Sequence, residues 1–442
     1  MSFSRRHFFR IAGTGLIGSY FADVLDPRLL LASTTTANAA LRNSAKSCIF
    51  IFLSGAPSQT DTWDLKEGAW TPSALAPTSY GDLRWPQGLL PKTGAHLDKL
   101  TIVRSSLAWA AVHSLGQAWA QIARNPGGAT GAIAPHIGAV VALESQASRT
   151  VSDVLPGFIA LNSGGIPTCG YLPAKYAPFG VEPASEGLAT LAHPEGAARF
   201  AQRWDLLHAL DTARANGSLG KASLDMNDFY DQARTLMDAP GINTLFSFDD
   251  AEHERYGATT FGDSMIVARN LVSARKGTRF VQATLGGWDH HSDIYDPAAA
   301  QSLFTQGAEL DNALGALLTD LEAGGILDET LIVLVSEFGR TVGPLNGQGG
   351  RDHYLRNSVV FAGGGTKGGR VLGQTDAQGA NVTDYGWSAK RDVRPEDVTC
   401  TIYSALGIDY TKVRTDDPLG RGFEYVPEAK DGGYQPVEEL WG

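Results

Sequence analysis

The sequence predicts an α/β protein whose central sheet is mostly parallel and covered by helices on both faces. Three observations predict it. Short, almost continuously apolar runs recur along the chain, as at 48–53 (CIFIFL) and 330–335 (TLIVLV); a strand is apolar on both sides only when both faces of its sheet are buried. Stretches of helical periodicity separate these runs, the strand–helix order that parallel neighbours require. Glycine is abundant, 51 of 442 residues, and only 19% of residues are charged, a composition of tight loops rather than of a helical repeat.

Strands are expected at 48–53, 100–104, 158–161, 279–285, 330–335 and 358–362, and helices at 137–143, 197–210, 224–237, 261–276, 302–322 and 395–406. Residues 40–442 form one domain in this reading, with the mainly helical and loop-like stretch at about 172–258 as a cap or insertion. Gly363, Gly365 and Gly368 satisfy a dinucleotide-type glycine pattern after a strand. The segment RVLGQTD, which comes next, starts no helix, so a glycine turn between two strands is expected and no dinucleotide site. Neither a GxSxG elbow nor a Walker lysine motif is present, which argues against serine hydrolases and P-loop proteins.

The first residues have the layout of an export signal. Arg5 and Arg6 precede a moderately apolar stretch containing Gly13, Gly15 and Gly18, and Ala37-Asn38-Ala39 supplies small residues for cleavage. Twin arginines in that place resemble the signal of the twin-arginine export machinery, which moves folded proteins. The expected location is therefore periplasmic or extracellular. The stretch is too short and too weakly apolar for a stable membrane span. Removing residues 1–39 takes away four arginines and two aspartates, which moves the net charge from -11 to -13. Such an acidic chain is not expected to bind nucleic acid. Cys48, Cys169 and Cys400 are too few and too scattered for a disulfide scaffold or zinc knuckle, and would allow one bridge with one thiol left over.

Ligands of an open parallel sheet bind beyond the carboxyl ends of its strands, and three expected strand ends deliver carboxylates and imidazoles. After the first strand come Asp61 and Asp64; after RFVQATL comes GGWDHH, with Asp289, His290 and His291; after TLIVLV comes SEFGRT, with Glu337 and Arg340, and then Arg351, Asp352 and His353 in GGRDHY. Asp289 and His291, two apart in a glycine-flanked loop, can converge on one divalent cation such as zinc, manganese or calcium, and Asp352 and His353 are further candidate ligands. Glu337 comes directly after an apolar strand, where a charge must be paired or bound. It is read either as a metal ligand, with Arg340 a bidentate donor to a phosphate or sulfate oxygen, or as the partner of Arg340 in an internal ion pair.

These motifs, with LTIVRSSLAWAAVHSLGQA, ERYGATTFGDSMIVARNLV and RPEDVTCTIYSALGID, together resemble the exported domain-of-unknown-function 1501 family from about residue 48 to 409. That family is regarded as sulfatase-like, within the alkaline phosphatase superfamily. The resemblance implies a metal site in which Asp289 and His291 match an Asp/His loop, Glu337 matches an aspartate at a strand end, and His353 matches a late histidine. Phe338 stands where the superfamily has a histidine. No cysteine has the context of a formylglycine nucleophile, which excludes an ordinary formylglycine sulfatase. The same resemblance places His113 and Ser114 at the position of the superfamily nucleophile, at a helix start; His113 would then act as nucleophile or acid/base, or the two would simply cap the helix.

The resulting expectation is an exported, metal-dependent hydrolase of phosphate or sulfate esters. Asp289, His291, Glu337, Asp352 and His353 would hold a divalent metal, His113, Ser114 and Arg340 would act on the ester, and Asp61 and Arg351 would line the site of a small or polymeric anionic substrate. The alternative is a non-catalytic binding or envelope-assembly protein with the same fold. A third reading makes Asp61 and Asp64 the paired carboxylates of a carbohydrate-active enzyme.

Overall fold

The computed structural model describes residues 41–442 apart from 190, 213–215 and 217, so the export signal expected at 1–39 lies outside the described residues. The strands in chain order are β1 (Ser47–Leu53), β2 (Pro77–Tyr80), β3 (Leu83–Pro86), β4 (Leu100–Leu107), β5 (Phe158–Leu161), β6 (Phe179–Val181), β7 (Phe280–Leu285), β8 (Thr330–Val335), β9 (Gly339–Arg340), β10 (His353–Tyr354), β11 (Arg356–Ala362) and β12 (Arg370–Leu372). Among the described residues, eight of them form one sheet in the order β12-β4-β11-β8-β1-β7-β5-β6. β1 pairs in parallel with β7 and β8, while β11 runs antiparallel to both β8 and β4. The sheet is thus mostly parallel, and β11 is the strand that reverses.

Alternation along β1 explains why both faces are covered. Ile49, Ile51 and Leu53 belong to one core cluster and Cys48, Phe50 and Phe52 to the other, because successive side chains leave opposite faces of a strand. On the isoleucine side lie the helices α5 (Thr260–Ala274) and α6 (Leu303–Ala323); on the phenylalanine side lie α2 (Ile137–Ser145) and α7 (Pro395–Ala405). Each large side chain so buried is worth roughly 1.5–3 kcal/mol. α1 (His113–Ile122) comes after β4 at the carboxyl edge. α3 (Ala197–Leu210) has no buried residue, and α4 (Lys221–Asp238) buries Ser223 and Leu236.

Several boundaries differ from the sequence-based expectation for local reasons. The helix expected from residue 302 begins at Leu303, because Ser302 has extended backbone and caps it by accepting from Thr305 N. The helix expected to reach 276 stops at Ala274, where Arg275 takes a left-handed φ of 49°. Within the eight-stranded sheet, two short strands were not expected. β6 lies inside the stretch at 172–258 and extends the sheet edge beside β5, and β12 pairs with β4 after the glycine turn. That turn does join two strands, since β11 ends at Ala362 and β12 begins at Arg370. All three cysteines are free and buried, so the possible bridge is not formed. Among the described residues no helix is long and apolar enough to cross a membrane.

Candidate metal centre

The site is built at the carboxyl ends of β1, β7 and β8. Gly55, just past β1, has a φ of 108°, and a Cβ there would stand 2.6 Å from Asp289 N; glycine is what lets the loops after β1 and β7 touch. In the β7 loop, Trp288 and His290 turn inward, where both are almost wholly buried, while Asp289 and His291 turn outward. Burial pushes His290 down to about 4. His353 sits on β10, paired across from Arg340 on β9. His113 opens α1.

Four ligand-type atoms converge there. One atom each from His113, Asp289, His291 and His353 lies within 4.8 Å of the other three. Asp289 Oδ1 is 3.1 Å from His291 Nε2, 3.3 Å from His113 Nε2 and 3.6 Å from His353 Nε2. His291 Nε2 and His353 Nε2 are 3.0 Å apart.

The other ring nitrogens each meet an oxygen acceptor. His353 Nδ1 meets the Ala111 carbonyl at 2.9 Å, His291 Nδ1 meets Asp352 Oδ1 at 3.0 Å, and His113 Nδ1 meets Glu337 Oε1 at 2.9 Å. A carbonyl or carboxylate oxygen can only accept, so in each neutral ring the proton sits on Nδ1 and the Nε2 lone pair faces the cluster. Three lone pairs and a carboxylate oxygen aimed at one another favour a cation among them; the Arg340 guanidinium meets only one side of the group, at Asp289 Oδ1 (2.5 Å) and His291 Nε2 (3.4 Å). His113 Nε2 is buried and has no hydrogen-bond partner. Metal-ligating histidines typically donate their other N–H to a carboxylate or carbonyl in this way. The donor set therefore fits a divalent metal.

Glu337 is therefore not one of the converging ligands, a correction to the sequence-based expectation. Oε1 accepts from Gly55 N at 2.8 Å, from His113 and from Gln117 Nε2 at 3.3 Å, and Oε2 accepts from Ser336 Oγ at 2.9 Å. Its buried carboxylate is satisfied by those donors and orients His113 from behind. Asp352 does the same for His291 and also accepts from Asn346 Nδ2 at 3.2 Å. Phe338 packs its ring 4.9 Å from His113 and 4.7 Å from His353, which holds both imidazole planes.

Both arginines are corrections too. Arg340 is wholly buried; Nε donates to Ala56 O at 2.8 Å, Nη1 to Arg351 O at 3.1 Å, and Nη2 to Gly55 O and to Asp289 Oδ1, the latter at 2.5 Å. The expected Glu337–Arg340 pair is absent among the described residues, and no free pair of N–H groups remains to clamp an anion. Arg351 is likewise spent: Nε donates to Asp61 Oδ2 at 2.6 Å, Nη1 to the Thr341 and Gly343 carbonyls, and Nη2 to Asp61 Oδ1 and Tyr295. Asp61 and Arg351 are an internal ion pair with no exposed side-chain surface, not substrate contacts. Asp64 is buried against Lys66, Arg104 and Thr375, so the paired-carboxylate reading has no exposed pair to use. Ser114 is exposed and stands outside the four converging residues.

The electrostatics reflect the contacts. Burial raises Asp289, but the hydrogen bond and charge of Arg340 outweigh it and leave the carboxyl below its usual range. The Glu337 hydrogen bond raises His113.

A family model described as "Protein of unknown function (DUF1501)" matches residues 45–431. The chain belongs to the DUF1501 family. No curated protein matches this DUF1501 chain. Among solved structures it is similar to a sulfatase from Pseudoalteromonas sp. (14% identity, 83% of this chain and 69% of that one, TM-score 0.41). It is also similar to an alkaline phosphatase superfamily protein from Vibrio parahaemolyticus (10%, 84% and 69%, 0.36). A third is the phosphonate monoester hydrolase of Silicibacter pomeroyi (13%, 90% and 77%, 0.38).

Proposed function

We propose that this DUF1501 protein is an exported, metal-dependent hydrolase of phosphate or sulfate esters. The observation that carries the metal is the convergence of three Nε2 lone pairs on Asp289 Oδ1, each ring held by an oxygen acceptor on its far side. His113, Asp289, His291 and His353 would hold it. Three imidazoles and one carboxylate suit zinc or manganese better than calcium, whose ligands are oxygens. When bound, such a metal supplies a positive charge against which negative charge on an ester can build.

The protein's own residues do the rest. Glu337, Asp352 and the Ala111 carbonyl keep the three Nε2 lone pairs facing the site. Arg340 keeps Asp289 ionised. The free N–H groups at the start of α1 favour an anion beside His113. With Ser114 outside the cluster, the proposed nucleophile is water: its oxygen bonds to sulfur or phosphorus, the bond to the ester oxygen breaks, and the alcohol leaves with a proton.

The test is metal analysis of purified protein together with turnover of 4-nitrophenyl sulfate and phosphate, before and after chelation. Stoichiometric zinc or manganese with turnover that chelation abolishes and metal restores is expected; metal-free protein without activity overturns the proposal. A second reading, a metal-holding binding or assembly protein without turnover, is favoured by one observation, that both site arginines are committed to internal acceptors. It predicts bound metal with neither ester hydrolysed.

A further inference from the structure

The two segments flanking the candidate metal centre are joined at Ala108 N, which donates to Leu355 O at 2.9 Å, and at His353 Nδ1, which meets Ala111 O. They expose three large apolar side chains: Val112 at 58%, Trp109 at 40% and Leu355 at 37%. Val112 immediately precedes His113, and Leu355 lies two residues beyond His353. From residue 105 to 123 the only titratable side chain is His113, although α1 buries only Gly116, Gln121 and Ile122. A half-exposed helix normally carries charge on its open side. Around His291 the surroundings are polar, with Asp352 and Asn346.

Resting on the hydrolase reading, we propose that this flank is a subsite for a hydrocarbon chain, so that the substrate is an amphiphile: a sulfate or phosphate head on a long-chain alcohol as leaving group. Trp109 is fixed despite its exposure, since Nε1 donates to Glu396 at 2.9 Å and the Arg394 guanidinium lies 3.8 Å from the ring centroid. A preset side chain loses little freedom when covered. The Arg394 guanidinium and the Trp119 ring, 5.8 Å away, already pack on the indole. Val112 and Leu355 are aliphatic. Together they offer a greasy wall rather than the open aromatic face on which a sugar ring stacks.

The test is calorimetric titration of the metal-loaded protein with methyl sulfate and with decyl sulfate at submicellar concentration, alongside the double variant Val112→Ser/Leu355→Ser. Val112 makes no side-chain cap for α1, and serine is a favoured residue at that position, so the change does not weaken the helix start. Each buried methylene is worth roughly fourfold in affinity, so decyl sulfate should bind at least about tenfold tighter than methyl sulfate. The double variant should erase that difference while its affinity for methyl sulfate stays within about twofold. Equal affinities for the two esters, or a preference that survives the double variant, overturn the subsite. If the chain-length preference is present but no ester is hydrolysed, the subsite stands and the hydrolase reading falls.

Discussion

Glu337 Oε1 and His113 Nδ1 lie 2.9 Å apart, the carboxylate with no exposed side-chain surface and the imidazole at the head of a helix from another part of the chain. This one contact decides which nitrogen of His113 faces Asp289. Glu337→Gln keeps an oxygen for Gly55 N but removes the charge that holds the Nδ1 proton. Zinc affinity, read by competition with a chromogenic chelator, should fall roughly 10- to 100-fold. An unchanged affinity would remove Glu337 from its orienting role.

Removing the metal should lower thermal stability. The four converging ligand atoms stabilise the folded chain only when a cation lies among them, and a ligand present at about 1,000 times its Kd adds roughly 4 kcal/mol. Chelation should therefore lower Tm by several degrees, and Asp289→Asn with His291→Ala should start at the lower Tm and not respond to chelator. A Tm that chelation leaves unchanged in the parent protein would count against the centre.

Asp61→Asn should act on stability rather than on ester affinity. It strands the buried Arg351 guanidinium, a loss of about 3–5 kcal/mol, whereas Asp61→Leu with Arg351→Met should cost less than the single change. Denaturant unfolding of the three proteins checks this. A single variant of parental stability that fails to bind ester would restore Asp61 as a substrate contact.

His136 makes the fold acid-labile away from the metal centre. It lies in an aromatic nest of Phe50, Phe158 and Phe280, and burial pushes it down to about 3 from an ordinary 6.5. The unfolded chain therefore takes up the proton first, and stability present above pH 6.5 drains away as pH falls towards 3. By about pH 5 this should amount to about 2 kcal/mol. His136→Asn retains a side-chain acceptor for Gly138 N, so its stability should fall less than the parent's on acidification from neutral pH. Parallel pH dependences of the two proteins would refute the assignment.

The central strands were legible because β1 and β8 are buried on both faces and read as unbroken apolar runs. β6 and β12 were not: each has three residues and borrows its stability from a neighbouring strand, which leaves no pattern of its own. Asp289, His291 and His353 stood out through residue type and loop position. The place of His113 came from family likeness alone, and nothing local in VHSLGQA marks a ligand. What the sequence could not show was which acceptor each charge would meet. Glu337 is turned from the cluster by donors from Gly55, His113, Gln117 and Ser336, and Arg340 differs from an anion clamp by carbonyls at Gly55 and Ala56 that reach it only through the fold.

The four ligand-type atoms come from the start of α1, the loop after β7 and the strand β10, and these meet only once β1 has β7 on one side and β8 on the other. On the proposed reading, cation capture at this cluster would work as proofreading: a half-assembled sheet would offer at most the Asp289–His291 pair. The metal content of a preparation would then be a census of molecules whose sheet has closed.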